Sequence, residues 1–478
     1  MSISTALSNA ASGLTASARA VQVVSSNVAN ALTEGYAARQ IDLTAASLGG
    51  VGSGVRVASV TRLVDPAMLG LSRDAGSRGH AGEAGVTFWQ RLEASIGAPG
   101  EGLSKALSGF ETALIAASER PDLDSRLAAV VTAATSFADK LGSVEQTVQA
   151  LRASADVDIA SDVSALNTGL QRIDKLNDQI VRQRAAGQST LGLEDDRQAL
   201  ITTLSEVVPM REYARADGRV TLFTTGGQLL LDINPQEIGF TQNHAIDPSM
   251  RIGSGLSGLT IGGRAVDPGP DGPMRGGRLA ASFALRDTEA VSVQAQLDAL
   301  AEDLVARFQD PGTDPTLAPG DAGVFTDDGL ALGGPAAPGL AGRLTVNDAI
   351  LPGSGGALWH LRDGLGATTP GPVGDAAQIQ NLLSALDRPQ AVAPGSPRQD
   401  FSSTLTETMT RVSIQRQAAE DIATQSAAHL GEVTQQMLAN GVDTDAEMQR
   451  LLAVEQAYAA NARVIETADA MLRRLLEI

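Results

Sequence analysis

The chain has 478 residues, 43% hydrophobic and 19% charged, with a formal net charge of -19 and no cysteine. That length allows two to four domains with buried cores. The acidic balance excludes nucleic acid and anionic membrane surfaces as partners, since both need a concentrated basic face, and the missing thiols exclude disulfides, thiolate metal sites and cysteine nucleophiles.

Aromatic residues are only 3%, so the cores must be built from Ala, Leu, Val and Ile, which suits slender helix packing. At the start of the chain Ile3, Leu7, Ala10, Leu14, Ser17, Val21, Val24, Val28 and Ala31 recur at heptad spacing, which predicts a helix with a seam. Ala6, Gly13, Ala20 and Asn27 flank the seam and are small enough to admit a close neighbour. Between Met1 and Thr33 the only charged side chain is Arg19. A helix facing water carries charge on its outer face, so this one is expected to be covered on several sides. The opening does not read as a cleavable signal peptide, and no run of 18 apolar residues offers a membrane span.

Val55, Val57 and Val60 alternate with polar residues after glycines, predicting a short strand or hairpin within Gly49 to Pro66. A long helix is expected after Pro121, because Asp122 to Arg184 holds no proline and Leu166, Leu170, Ile173, Leu176 and Ile180 keep coiled-coil spacing. "LGLEDDRQALITTLSEVV" predicts a shorter helix, with Glu194, Asp195 and Asp196 placed to compensate the helix dipole. Asp217-Gly218 and Gly226-Gly227 separate three strand-like runs. Arg286 to Phe308 returns to helix, and a Gly- and Pro-rich stretch reads as loop.

Near the other end Leu451, Val454, Tyr458, Asn461, Ile465, Ala468, Leu472 and Leu475 form a second seam. Beside it runs a row of Ala457, Val464, Met471 and Ile478, making the apolar face too wide for one partner helix. The fold expected is mainly α with a β-rich insertion. Residues 1–45 plus 443–478 would pair as a coiled-coil-like helical stalk, and 46–207 plus 374–442 would form a helical body. Residues 208–284 would make a projecting β-rich outer module, and 285–373 a helix followed by Gly/Pro-rich loop. The two seams are expected to pair with each other, yet two helices cannot cover both faces, so further copies of the chain are the natural cover. Head-to-tail contacts of that kind build rings or filaments.

No catalytic, cofactor-binding or metal-binding residue is expected. His80, His244, His360 and His429 lie far apart, with no His-x-x-x-His pair. "GGVGSGV" lacks the Gly-Lys-Ser/Thr of a phosphate loop, and "DPGPDGP" lacks the spaced acids and closing glutamate of a calcium loop. A hydrolase displayed on a helical stalk would need acids, a nucleophile or ligands converging within 208–372, and the sequence offers no such set.

"ALSNAASGLTASARAVQVVSSNVANALTEGY" resembles the N-terminal signature of the axial proteins of the bacterial flagellum, through Ser26, Asn27, Ala29, Asn30, Thr33, Gly35 and Tyr36. "GVDTDAEMQRLLAVEQAYAANARVIETADAMLRRLL" is similar to their C-terminal signature, through Gly441, Val442, Asp445, Glu447, Gln456, Ala457, Tyr458, Ala460, Arg463, Thr467 and Met471. "GSGVRVASVTRLVD", "LEDDRQALITTLSEVV" and "RLTVNDAI" resemble segments of the branch that joins hook to filament, although "RFQDPGTDPTLAPGDAG" departs from that branch's pattern. The resemblance implies a secreted structural adaptor, exported unfolded by the flagellar type III route and held by a dedicated export chaperone. It would sit between hook protein and the third hook-associated protein and assemble with copies of itself. The alternatives are another axial protein, such as hook protein or the third hook-associated protein. Packing between subunits would then rest on Ile3, Leu7, Leu14, Val21, Val24, Val28, Leu451, Val454, Tyr458, Ile465, Leu472 and Leu475.

Overall fold

The structure, a computed structural model, describes residues 3–33, 36–48, 51–391, 397–439 and 441–476. It begins with helix α1 (Ile3–Ala29) and strands β1 (Arg39–Leu48) and β2 (Val51–Arg62). Helices α2 (Pro66–Ile96), α3 (Gly102–Glu119), α4 (Asp124–Ala185) and α5 (Leu191–Val207) follow. Next come strands β3 (Met210–Ala214), β4 (Val220–Thr224), β5 (Leu229–Leu231) and β6 (Ile238–Gly239). Strands β7 (Arg251–Ile252), β8 (Gly255–Leu256), β9 (Leu259–Ile261) and β10 (Arg264–Val266) complete this region. Helix α6 (Gly277–Ala284) continues through a π turn at Leu285–Glu289 into α7 (Ala290–Gln309). Short elements β11 (Phe325–Asp327), α8 (Leu340–Arg343), β12 (Leu344–Val346), α9 (Trp359–Asp363) and α10 (Ala377–Asp387) precede β13 (Gln390–Ala391) and β14 (Arg398–Gln399). Two long helices, α11 (Phe401–Ala439) and α12 (Thr444–Leu476), end the chain.

The chain is mainly helical with several small sheets, and it divides into two compact units. The first holds residues 1–77, 166–236 and 426–478, the second 78–165 and 237–425. This division cuts across the compositional blocks. Strands within 208–284 do not join one module: β3, β4 and β5 form an antiparallel sheet in the first unit, while β10, β9 and β6 form another in the second. Alternation also ends before 284, because α6 takes over at Gly277. Alternation identifies a strand but not its neighbour, which is why one composition hid two sheets.

In the first unit α1 packs along α12 and against β2. The β1–β2 ribbon starts ten residues before the stretch whose valines suggested it, and two register shifts bend it. Gly54, at φ +102°, lets β2 touch α1: the Ser12 hydroxyl accepts the Val55 N–H at 3.1 Å, where any Cβ on Gly54 would collide with it. The expected turns do form, with Gly218 and Gly227 both at positive φ. Leu166, Leu170, Ile173, Leu176 and Ile180 of α4 are buried, as are Ile201 and Leu204 of α5. At Gly169 the missing side chain leaves room for the Leu204 methyls.

The second unit has one continuous apolar core running from Phe88 to Val412. Phe110, Phe308 and Phe325 meet there with ring centroids 5.3 to 6.0 Å apart. The Gly/Pro-rich stretch after α7 is not bare loop, as the sequence suggested. It buries Phe325, Leu340, Ile350 and Leu361 completely or nearly so, and its elements are too short to show a period. Asn347 organises it, donating to the Gly323 carbonyl at 2.9 Å and accepting from Ala349 N–H at 3.0 Å.

Two fully buried arginines fasten the second unit's strands to α4. Arg286 pairs with Asp156 and also reaches Asp287 and the Ser257 carbonyl. Arg152 donates to the carbonyls of Arg286, Asp247 and Met250. Arg286 is thus compensated by an ion pair and Arg152 by carbonyl acceptors, as a buried charge requires.

Candidate assembly interface

The first unit brings the two expected seams together. On α1 the most buried residues are Ala10, Ala16, Ser17, Ala20, Val24 and Asn27. Small side chains thus form the covered face, two of them from the flanking row. Ile3, Leu7, Leu14 and Val21 are half-buried, and Val28 is exposed. On α12 Leu451, Val454, Asn461 and Ile465 are half-buried and Ala468 is buried.

Several expected packing residues stay open in the single chain. Tyr458 is 48% exposed, Leu472 38%, Val464 42% and Met471 57%. Leu475 lies in α12, Gly35 and Ile478 lie outside the described residues, and Gln456, Ala457 and Arg463 are exposed. α1 therefore covers part of the α12 seam and leaves Tyr458 and Leu472 open together with Val464 and Met471 of the neighbouring row.

The end of α1 is built around Asn27, which has no exposed surface. Its amide donates to the Arg39 carbonyl at 2.9 Å, and its oxygen accepts from the Arg39 N–H at 2.9 Å and the Tyr36 hydroxyl at 2.8 Å. A side-chain amide thus pairs with a backbone as a strand would. Asn30 closes the last turn by donating to the Ser26 carbonyl at 2.9 Å. The signature residues Asn27, Asn30 and Tyr36 are therefore turn-builders, and the Arg39 guanidinium lies over the Tyr36 ring at 5.1 Å.

The acids read as dipole compensation do more than that. Asp195 accepts from Arg62 Nε at 2.7 Å and Arg39 Nη2 at 3.2 Å. Glu194 accepts from Thr190 and pairs with Arg184 at 3.2 Å. Arg197 is buried and donates to Asn177 and to the Gly218 carbonyl, each at 2.8 Å, and burial pushes its pKa down. Arg73 joins Glu212 at 3.3 Å. Nothing in the periodicity pointed to these arginines; only the concentration of arginines and acids around a short helix could have.

A cleft of about 350 Å³ in the second unit is lined by residues including His80, Phe88, Arg91, Asp158 and Arg278. Burial, then the nearby Asp162, raises the Asp158 carboxyl, while His80 faces Glu83 at 3.2 Å. Among the described residues no group of three His, Cys, Asp or Glu side chains is placed to hold a metal ion, and no helix is long and apolar enough to cross a membrane.

The chain matches three families of flagellar proteins. Residues 89–320 match the flagellar hook-associated protein FlgK helical domain. Residues 7–36 match the flagella basal body rod protein family, and 434–478 the flagellar basal body rod FlgEFG protein C-terminal family. Flagellar hook-associated protein 1 of Bacillus subtilis is 22% identical over 504 residues, covering 98% of this chain and 97% of that one. The protein of the same name from Escherichia coli is 23% identical, covering 70% of this chain and 61% of its own. That of Salmonella typhimurium is 25% identical, covering 48% and 43%. A solved structure of the flagellar hook junction protein FlgK from Burkholderia pseudomallei is similar over 54% of this chain and 46% of its own, at 21% identity and a TM-score of 0.46. With both terminal signatures and the helical domain present in one chain, it belongs to the flagellar hook-associated protein 1 family.

Proposed function

We propose that the chain is the adaptor that joins hook to filament, exported and built into the flagellum, and that its first unit carries the contacts between copies. The observation that bears most weight is the open apolar surface of α12, made by Tyr458, Val464, Met471 and Leu472 beside the seam residues that α1 covers. An apolar stripe of that length on a monomer's helix marks an interface. Charge supports the same division of roles. The first unit has 17 basic and 21 acidic residues, the second 19 and 34. The nearly balanced unit can stack on its copies with little repulsion, while the acidic unit favours solubility.

The mechanism is one of binding without catalysis, as befits a family of structural flagellar proteins. In this reading hook protein meets one side of the assembly, the third hook-associated protein the other, and an export chaperone holds the chain beforehand.

The test is a strain whose own copy is replaced by Leu472→Asp. The variant is expected to keep the second unit folded, by hydrogen exchange, while cells carry hooks without attached filaments. Normal motility with attached filaments would overturn the reading.

A further inference from the structure

Arg39 touches two elements at once. Through its backbone it holds Asn27 at the end of α1, and through its side chain it reaches Asp195 in the first turns of α5. Arg62, at the end of β2 and directly opposite Arg39 in register, meets the same carboxylate. The ribbon's open end is thus pinned by Asp195 between two arginines, with Glu194 a longer second partner of Arg62 at 3.8 Å. These side chains are 12 to 23% exposed, with Asp195 at 14%. A pair this sheltered is screened less than a surface pair and is charge-assisted on both sides.

We propose that Asp195, Arg39 and Arg62 form a latch that fixes the seam-bearing helix α1 to α5, with Asp195 as its positioning residue. The β1–β2 ribbon is the intermediary. Further along, it lies on α1 through Ser12 and Gly54, and its open end is held by the latch, so the direction of α1 follows the ribbon. Opening the latch would free α1 and the ribbon together while leaving the Asn27 contacts, which are to Arg39's backbone and the Tyr36 hydroxyl, in place. The ribbon lies between the two matched family segments 7–36 and 89–320, and the latch is a property of the single chain, independent of what it assembles with.

The experiment is hydrogen–deuterium exchange on the full chain, comparing wild type with Asp195→Asn and Asp195→Glu at about 0.05 M and about 1 M salt. At low salt Asp195→Asn is expected to speed exchange in β1, β2 and the end of α1 by about tenfold or more, because it removes the charged acceptor of two hydrogen bonds. Exchange in α7 of the second unit should not change. Wild type should approach the variant at high salt, and Asp195→Glu should recover part of the protection. Unchanged exchange in the ribbon of Asp195→Asn would overturn the latch. So would a speed-up shared equally by α7, or a salt response in the variant equal to that of wild type.

Discussion

Gly13 of α1 faces Asn461 of α12 so closely that a Cβ on Gly13 would stand 2.6 Å from the asparagine amide nitrogen. The two terminal helices touch here because one residue has no side chain. Alanine at 13 would favour the isolated helix by about 1 kcal/mol but requires the Asn461 amide to turn aside. Leucine has no such escape. Gly13→Leu should therefore loosen α1 and α12 together in hydrogen exchange, with Gly13→Ala much milder and Asn461→Ala relieving part of the leucine defect. Full protection of both helices in Gly13→Leu would show that the contact does not set their spacing.

Asn27 supplies three hydrogen bonds from a side chain with no exposed surface. Asn27→Ala leaves the Arg39 N–H and carbonyl and the Tyr36 hydroxyl without this partner, at a cost of about 1 to 3 kcal/mol for each group that water cannot reach. Asn27→Asp keeps an acceptor and loses the donor to Arg39's carbonyl, so it should be the milder change. Ribbon protection should fall in the order wild type, Asp, Ala. The reverse order would contradict the geometry.

These contacts mark where the sequence was legible. Heptad spacing located α1 and α12 and their apolar rows, because a helix repeats its environment every turn. Asp-Gly and Gly-Gly pairs located the β3–β4–β5 turns, since backbone sterics act locally. The arginine anchors were not legible. Arg62 and Asp195 are separated by 133 positions, and Arg152 and the Arg286 carbonyl by 134, and no periodicity reports such pairs. The rows carry no ranking of burial: Leu7 and Leu14 of the seam are half-buried, while Ala20 and Asn27 of the flanking row are the more enclosed, since close helix approach favours the small side chain.

Arg307 offers a separate test within the second unit. Fully buried, it pairs with Asp303 at 2.8 Å and donates to the carbonyls of Ala385, Arg388 and Gln399, closing the end of α10. Removing one partner of a buried pair costs about 3 to 5 kcal/mol, because the other charge stays unpaired. Arg307→Ala should cost that much in urea unfolding of the second unit, and Arg307→Ala with Asp303→Ala clearly less. Equal losses for the single and double changes would mean that the carbonyl contacts, not the ion pair, dominate.

Glu145 gives the pH dependence a sign. It is 6% exposed, and its Oε1 has no hydrogen-bond partner. Burial pushes its pKa up, Asp298 adds to this, and Gln149 and Arg343 oppose it. The folded chain therefore binds this proton more tightly than the unfolded chain does. The stability so gained is fully present below the unfolded carboxylate's range and is lost as pH rises through the folded value. Glu145→Gln carries no charge to lose, so it should be more stable than wild type at neutral pH, and the advantage should vanish in strong acid. Urea midpoints of the second unit across that range would decide, and a gap that stays constant at every pH would show that the carboxyl's burial is not its cause.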